Sequence, residues 1–325
     1  MPARTSPPYV PLVEVVRSSF QESVHHGAVV GLSATGELAY ARGPVGSPML
    51  PRSSAKPLQA LACLRAGAPL SGAAVAIAAG SHSGQDLHLQ QVRATLAAAG
   101  LSAADLGCPP DWPLDTSTRD QLVCAGEPRS PERMNCSGKH AAMLAACVAQ
   151  GWPTETYLDP EHRLQHAIRT TMEELCQEPV SHTTVDGCGA PQLAVSLAGL
   201  ARGIHALTTG STDSHRHTVL QAMRTYPQYV AGPGRHDTIL MQGVPGLISK
   251  QGAEGVMVVA TATGATVAVK ISDGDANHRA RTVAALDALA ELTDLDLTNG
   301  AVGKLRGGTV RGGGQPVGTV APIPN

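Results

Sequence analysis

The chain has 325 residues, 42% of them hydrophobic, yet it holds only one Phe, five Tyr and two Trp, so its core has to be built from Ala, Val, Leu and Ile. Scarce rings exclude recognition of nucleic-acid bases by stacking. The balance of 24 Lys and Arg against 26 Asp and Glu, a net charge of -2, leaves no basic footprint for a phosphate backbone and, with ordinary hydrophobicity, excludes disorder.

The first twenty residues carry Pro2, Pro7, Pro8 and Pro11 and no apolar run long enough for a secretory leader. The longest apolar stretch, Ala73 to Ala79, falls well short of the ~18 residues of a membrane helix. A cytoplasmic protein with no membrane contact is therefore expected. The seven cysteines, at 63, 108, 124, 136, 147, 176 and 188, are odd in number and lack a Cys-x-x-Cys pair, so most are expected as reduced thiols.

Residues 28–42 alternate apolar and polar side chains about Ala34-Thr35-Gly36, which predicts a β-hairpin. Helical spacing follows at 53–66, 85–99, 137–150, 160–176, 188–202 and 215–225. Strands return at Val244 to Ser249, Gly255 to Ala262 and Thr266 to Ile271, before a helix at 275–293 and a Gly-rich end with a last strand. This order predicts an α/β (α+β) chain, an antiparallel sheet flanked by helices with a helical middle region. It is expected as one domain over 1–325, with a sheet lobe at about 1–50 and 205–325 and a helical lobe at about 51–204.

Four groups of residues could carry chemistry. In Arg52-Ser53-Ser54-Ala55-Lys56-Pro57, Ser53 and Lys56 are three apart and share a helix face, whereas Ser54 and Lys56 diverge. Pro57 fixes a helix start near Ser53, where N–H groups can hold an oxyanion and a neutral Lys can take the hydroxyl proton. The plainer reading is an N-cap serine and a solvated lysine. Ser81-His82-Ser83-Gly84 leaves a buried element as a polar loop, or caps the helix near Asp86. Lys250-Gln251-Gly252 is read at the end of the strand Leu247 to Ser249, where the missing Gly252 side chain would admit substrate beside Lys250. Asn135-Cys136-Ser137-Gly138-Lys139-His140 and Asp186-Gly187-Cys188 are either buried thiols or zinc ligands helped by Lys139, Asp186 or His140.

The stretches PRSSAKPLQAL, GSHSGQD, NCSGKHAAML, DGCGAP, YPQYVAGPGRHDTILMQ and KQGAEGV, in this order, closely resemble the bacterial asparaginase II family, the rhizobial-type or class 3 asparaginases. The likeness runs from about residue 14 to 280 and is poor beyond about Leu295. It implies a serine β-lactamase and glutaminase-like fold, a homodimer, and hydrolysis of L-asparagine to L-aspartate and ammonia. It places two Ser-Lys pairs on Ser53 with Lys56 and on Ser81 with Lys250. It places zinc on Cys136, Lys139 and Cys188, with Arg52, Asp186 and His140 bordering substrate or supporting the site. Three alternatives stand beside it: glutamine or another amide as substrate, a non-catalytic zinc-binding relative, and Cys136 as nucleophile.

Overall fold

The protein is described by a computed structural model over residues 8–210 and 215–324; residues 1–7, read above as carrying no leader, lie outside it. Strands β1 (Val10–Arg17) and β2 (Phe20–Leu32) turn through Ser18 and Ser19, whose φ values of +46° and +66° supply the left-handed pair a tight hairpin needs. Strand β3 (Leu38–Arg42) pairs with the end of β2, which is the hairpin expected at 28–42. After the short β4 (Pro48–Met49) the helical region opens with a 3-10 turn at Arg52–Ala55 and α1 (Lys56–Arg65). It continues through α2 (Ala73–Ala78), α3 (Asp86–Ala98), α4 (Thr116–Cys124), α5 (Ser137–Gln150) and α6 (Arg163–Cys176). Strands β5 (His182–Val185) and β6 (Pro191–Ser196) precede α7 (Leu197–Thr208), α8 (His215–Thr225), α9 (Pro227–Val230) and α10 (His236–Gly243). Then come β7 (Ile248–Gln251), β8 (Val256–Ala260), β9 (Thr266–Ile271), α11 (Arg281–Leu292), α12 (Gly300–Arg306), β10 (Gly308–Gly312) and β11 (Gln315–Pro322).

The main sheet is antiparallel in the order β10-β11-β1-β2-β9-β8-β7, with β3 also on β2, and a small second sheet runs β4-β6-β5. Because side chains alternate along a strand, β2 feeds two cores. Val29 joins Val259 and Leu286 under α11, while Ala28 and Val30 join Leu58, Ile77, Met143 and Leu200 under the helical region. Small residues set the helix spacing there. A Cβ on Gly138 would stand 2.7 Å from the Ile77 carbonyl oxygen, so α5 sits on α2 only because that side chain is missing. The expected antiparallel sheet flanked by helices, with a helical middle, is present. No helix of the described residues is long and apolar enough to cross a membrane.

Three expected elements differ. The helix read at 188–202 is strand β6 followed by α7, with the Ser196 hydroxyl accepting the Gly199 N–H at 2.8 Å as the N-cap. A fully buried strand is an unbroken apolar run, which periodicity cannot tell from a helix. The strand read at 244–249 starts later, at Ile248, because Val244 closes α10, and this puts Lys250 inside the strand. The helix read from 275 starts at Arg281. The Asp275 carboxylate accepts the N–H groups of Arg279, Ala280 and Arg281 and holds the preceding residues in a turn. The C-terminal β10–β11 hairpin extends the sheet beyond β1.

Candidate active site

The 3-10 turn at Arg52–Ala55 leads directly into α1, with Pro57 at the helix start where its missing N–H costs nothing. Lys56, although it precedes a proline, is helical at φ −57° and ψ −33°, so Ser53 and Lys56 lie on one continuous helical path. Arg52 is left-handed at φ +51°, a conformation that costs a non-glycine residue about 1–3 kcal/mol. Its guanidinium Nε donates to Asp186 Oδ1 at 2.8 Å, which holds the strained residue beside Ser53.

Lys56 is almost wholly buried, and its three Nζ–H donors are all taken. They reach Gly80 O at 2.6 Å, Ser81 Oγ at 3.0 Å and Cys136 Sγ at 3.1 Å. The pairing is therefore Lys56 with Ser81; Ser53, three residues away, is not among its partners. Ser81 is itself fixed, since its N–H donates to Val230 O at 2.7 Å and the next N–H, of His82, donates to Asn135 O at 3.1 Å. A Cβ on Gly80 would meet the Tyr229 and Val230 carbonyl oxygens at 2.8 Å, so glycine is what lets this loop lie against them.

Lys250 comes from β7 at the opposite wall, also buried, with Nζ donating to Gln251 O and standing 3.9 Å from Asp237 Oδ2. Burial dominates its surroundings, and with the Lys56 and Arg235 charges it outweighs Asp237, so the Lys250 pKa falls to about 7. Asp237 is held by the Ser249 hydroxyl at 2.7 Å and the Gln251 N–H at 3.0 Å. Gly252 does something other than admit substrate. A Cβ there would stand 2.8 Å from Pro51 O and 3.1 Å from Ser54 N, so the glycine lets the end of β7 close against the Ser53 turn. Arg281 fastens that junction by donating to Gly252 O while its Nε binds Asp275 Oδ2 at 2.9 Å. Ser53, Ser81 and Lys250 thus line one cleft of about 240 Å³, shared with Asn135, Arg235 and Asp237.

Cys136 and Cys188 lie beside Lys56 and Lys139 and are not among the residues lining the cleft. Lys139 Nζ donates to Cys188 Sγ at 3.0 Å, and the Cys188 thiol also lies against Cys136 and 3.8 Å from Asp186 Oδ2. The hydrogen bond from Cys188, followed by the Lys56 and Lys139 charges, overcomes burial and holds Cys136 well below the ordinary thiol value; the same contact drives Cys188 up. Burial pulls Lys139 down, but Cys188 and Cys136 outweigh it and its pKa rises. Burial likewise works against ionised Asp186, and Lys139 and Arg52 overcome it, keeping the carboxylate charged. Among the described residues no three His, Cys, Asp or Glu side chains gather as a metal cage. The donors available are two thiols and the Lys139 amine, a set whose third member binds a metal only after losing its proton.

His140 lies outside the cleft. It is fully buried on α5 with Nδ1 2.6 Å from the Tyr157 hydroxyl, and burial, with the Lys139 and Lys56 charges, holds it well below its ordinary pKa. Arg235, Asp237 and Arg281 are site residues that motif reading did not single out, and Asn135, named there at the head of its motif, was given no role. Asn135, Arg235 and Asp237 lie inside the quoted stretches NCSGKH and YPQYVAGPGRHDTILMQ, but nothing in their spacing marks them as cleft-facing.

No curated protein matches the chain. Among solved structures it is similar to Mglu in its native form, at 13% identity and a TM-score of 0.47, over 85% of this chain and 66% of that one. It thus spans just under two thirds of the length of Mglu. A beta-lactamase from Mycobacterium bovis is similar at 17% identity and a TM-score of 0.43, over 82% of this chain and 95% of that one. Simvastatin synthase from Aspergillus terreus follows at 13% identity and a TM-score of 0.39, over 76% and 85%. These are loose likenesses of fold. The family described as L-asparaginase II matches residues 13–322, which includes the C-terminal strands that the sequence blocks left out. With almost the whole chain matched, the protein belongs to the L-asparaginase II family.

Proposed function

We propose that the protein hydrolyses the side-chain amide of free L-asparagine to L-aspartate and ammonia with a serine nucleophile and lysine bases. The observation that carries this reading is Lys250, a buried lysine with a pKa of about 7, sharing a small cleft with Ser53 and Ser81. A base poised near neutrality is what activation of a hydroxyl requires. Lys56, with three acceptors on its three donors, serves as the fixed charge that orients Ser81. Neutral Lys250 takes the Ser53 proton, with Ser81 as relay, and Ser53 Oγ attacks the amide carbon. N–H groups at the start of the helical segment and the Lys56 charge offset the oxyanion. The C–N bond breaks as Lys250 returns the proton to nitrogen and ammonia leaves. Water, deprotonated by the same lysine, then attacks the Ser53 ester, and the lysine returns that proton to Ser53 Oγ as the C–O bond breaks and aspartate leaves.

A cleft of about 240 Å³ suits an amino acid better than a drug-sized amide, whose pockets run to about 300–1,000 Å³. It discriminates weakly against glutamine, since one methylene is worth about 1–3 kcal/mol. Cys136, Cys188 and Lys139 fit zinc by donor chemistry and would hold it; the bound ion would supply a fixed positive charge to the site. A homodimer and a cytoplasmic location complete the proposal.

A second reading, with Ser81 attacking, is favoured by its 3.0 Å contact with Lys56. Quenched turnover of L-asparagine followed by peptide mass mapping separates the two. An aspartyl ester on Ser53, with Ser53→Ala losing about 10³-fold or more in kcat, supports the first. An ester on Ser81 transfers the role, and full turnover by both Ser→Ala variants refutes serine chemistry.

A further inference from the structure

Arg235 is the cation in this cleft that the fold leaves unanswered. It lies at the start of α10, after Gly232 (φ +129°) and Gly234 (φ +73°). The loop is pressed onto the catalytic one, since a Cβ on Gly232 would overlap the Ser83 hydroxyl at 2.1 Å, with the Arg235 side chain 3.6 Å away. Arg235 lines both the cleft of Ser53, Ser81 and Lys250 and an adjoining hollow of about 240 Å³ with His236, Gln251 and His278. Other cations around the site have acceptors: Arg52 has Asp186, Arg281 has Asp275 and Gly252 O, and Lys250 has Gln251 O. Among the described residues the Arg235 guanidinium has none. The nearby carboxylate, Asp237, is occupied by Ser249 and Gln251. Burial comes first in lowering Lys250, His236 and His278, and the Arg235 charge adds to it in all three.

We infer that Arg235 binds the α-carboxylate of the substrate, making the enzyme specific for free amino-acid amides over amides whose carboxyl is blocked. The inference rests on the amide-hydrolysis reading above. A guanidinium presents a planar fork of N–H donors that matches a carboxylate with two parallel bonds. Such a contact, made at a fixed place in the cleft, sets where the side-chain amide lies relative to the serines. Arg235 is a substrate-binding residue and takes no part in proton transfer.

The test compares wild type, Arg235→Gln and Arg235→Lys on L-asparagine and on L-asparagine methyl ester, which keeps the side-chain amide and lacks the carboxylate. Wild type should prefer L-asparagine. Arg235→Gln should raise its KM about 10- to 100-fold with kcat changed only a few-fold, and lose the preference over the ester. Arg235→Lys should recover part of the loss, and thermal unfolding will show whether each variant is folded. An unchanged KM for L-asparagine in Arg235→Gln, or an equal loss on both substrates, overturns the assignment while leaving the reaction standing. Should wild type release no ammonia, stabilisation by L-aspartate decides. A thermal shift present in wild type and absent in Arg235→Gln upholds Arg235 although the reaction reading falls; no shift in wild type overturns it.

Discussion

Replacing Asp237 by Asn should move the pH dependence of turnover to the acid side. The two side chains are both buried, at 1% and 4% exposure, with Lys250 Nζ 3.9 Å from Asp237 Oδ2. At an effective dielectric of about 20, unit charges at that separation attract by ~4 kcal/mol. At 1.36 kcal/mol per pH unit, loss of the attraction lowers the Lys250 pKa by as much as about 3 units, and relaxation makes one to three the expected range. The direction follows from which form works. The neutral amine is the base, so activity rises as pH passes through the Lys250 pKa, which is about 7 in the intact site. Asp237 favours the charged form; without it the amine is neutral at lower pH and the acid limb of kcat/KM shifts down by that amount. The local contacts should survive, because the Asn amide oxygen can accept the Gln251 N–H while its N–H₂ donates to the Ser249 hydroxyl, so the plateau should change less than the position of the limb. The assay is ammonia release from L-asparagine between pH 4 and 9. An acid limb that stays in place, or moves to higher pH, refutes Lys250 as the titrating base.

Two further outcomes test other parts of the site. Zinc at a hundredfold excess over its dissociation constant should contribute ~2.7 kcal/mol to stability and raise the melting temperature by several degrees. Cys188→Ala should abolish that shift, and zinc should protect Cys136 from alkylation; a metal-free purified protein that zinc leaves unshifted removes the ion from the proposal. Gly252→Ala should cost ~1–3 kcal/mol in urea unfolding, because its Cβ meets the Pro51 and Ser54 backbone, and should lower kcat at least tenfold as β7 backs away from Ser53. Unchanged kcat would show that this close approach is dispensable.

How much of this was readable in the chain depends on the range of the forces involved. Local signals worked: the helix at 137–150 and the strand at 266–271 lie where their spacing places them, because each reflects side chains facing one layer. Strand β6 did not, since Pro191–Ser196 is buried on both faces and carries no alternation. Strand β1 was not anticipated, although Val13 and Val15 alternate in its core. In the site, residue identity could be read but partnership could not. The spacing of Ser53 and Lys56 suggests a pair, yet Lys56 turns to Ser81 and Cys136, which other loops bring to it. Arg235 and Arg281 were invisible for a related reason. Arginines are common in any chain, and only the loss of an acceptor in one case, and a fixed grip on Gly252 in the other, sets them apart.

The reactive centre is stitched from stretches near residues 53, 81, 136, 188 and 250, and no single helix or hairpin contains more than a fragment of it. Contacts of such sequence separation form only after long loops have closed, so they come late relative to local helices. A chain regaining its structure should bury α1 and α5 against one another before Lys250 is delivered to the serines by the last strands. The site's chemistry therefore depends on the whole fold, since Lys56, Cys136 and Lys250 are buried only where these separate stretches meet.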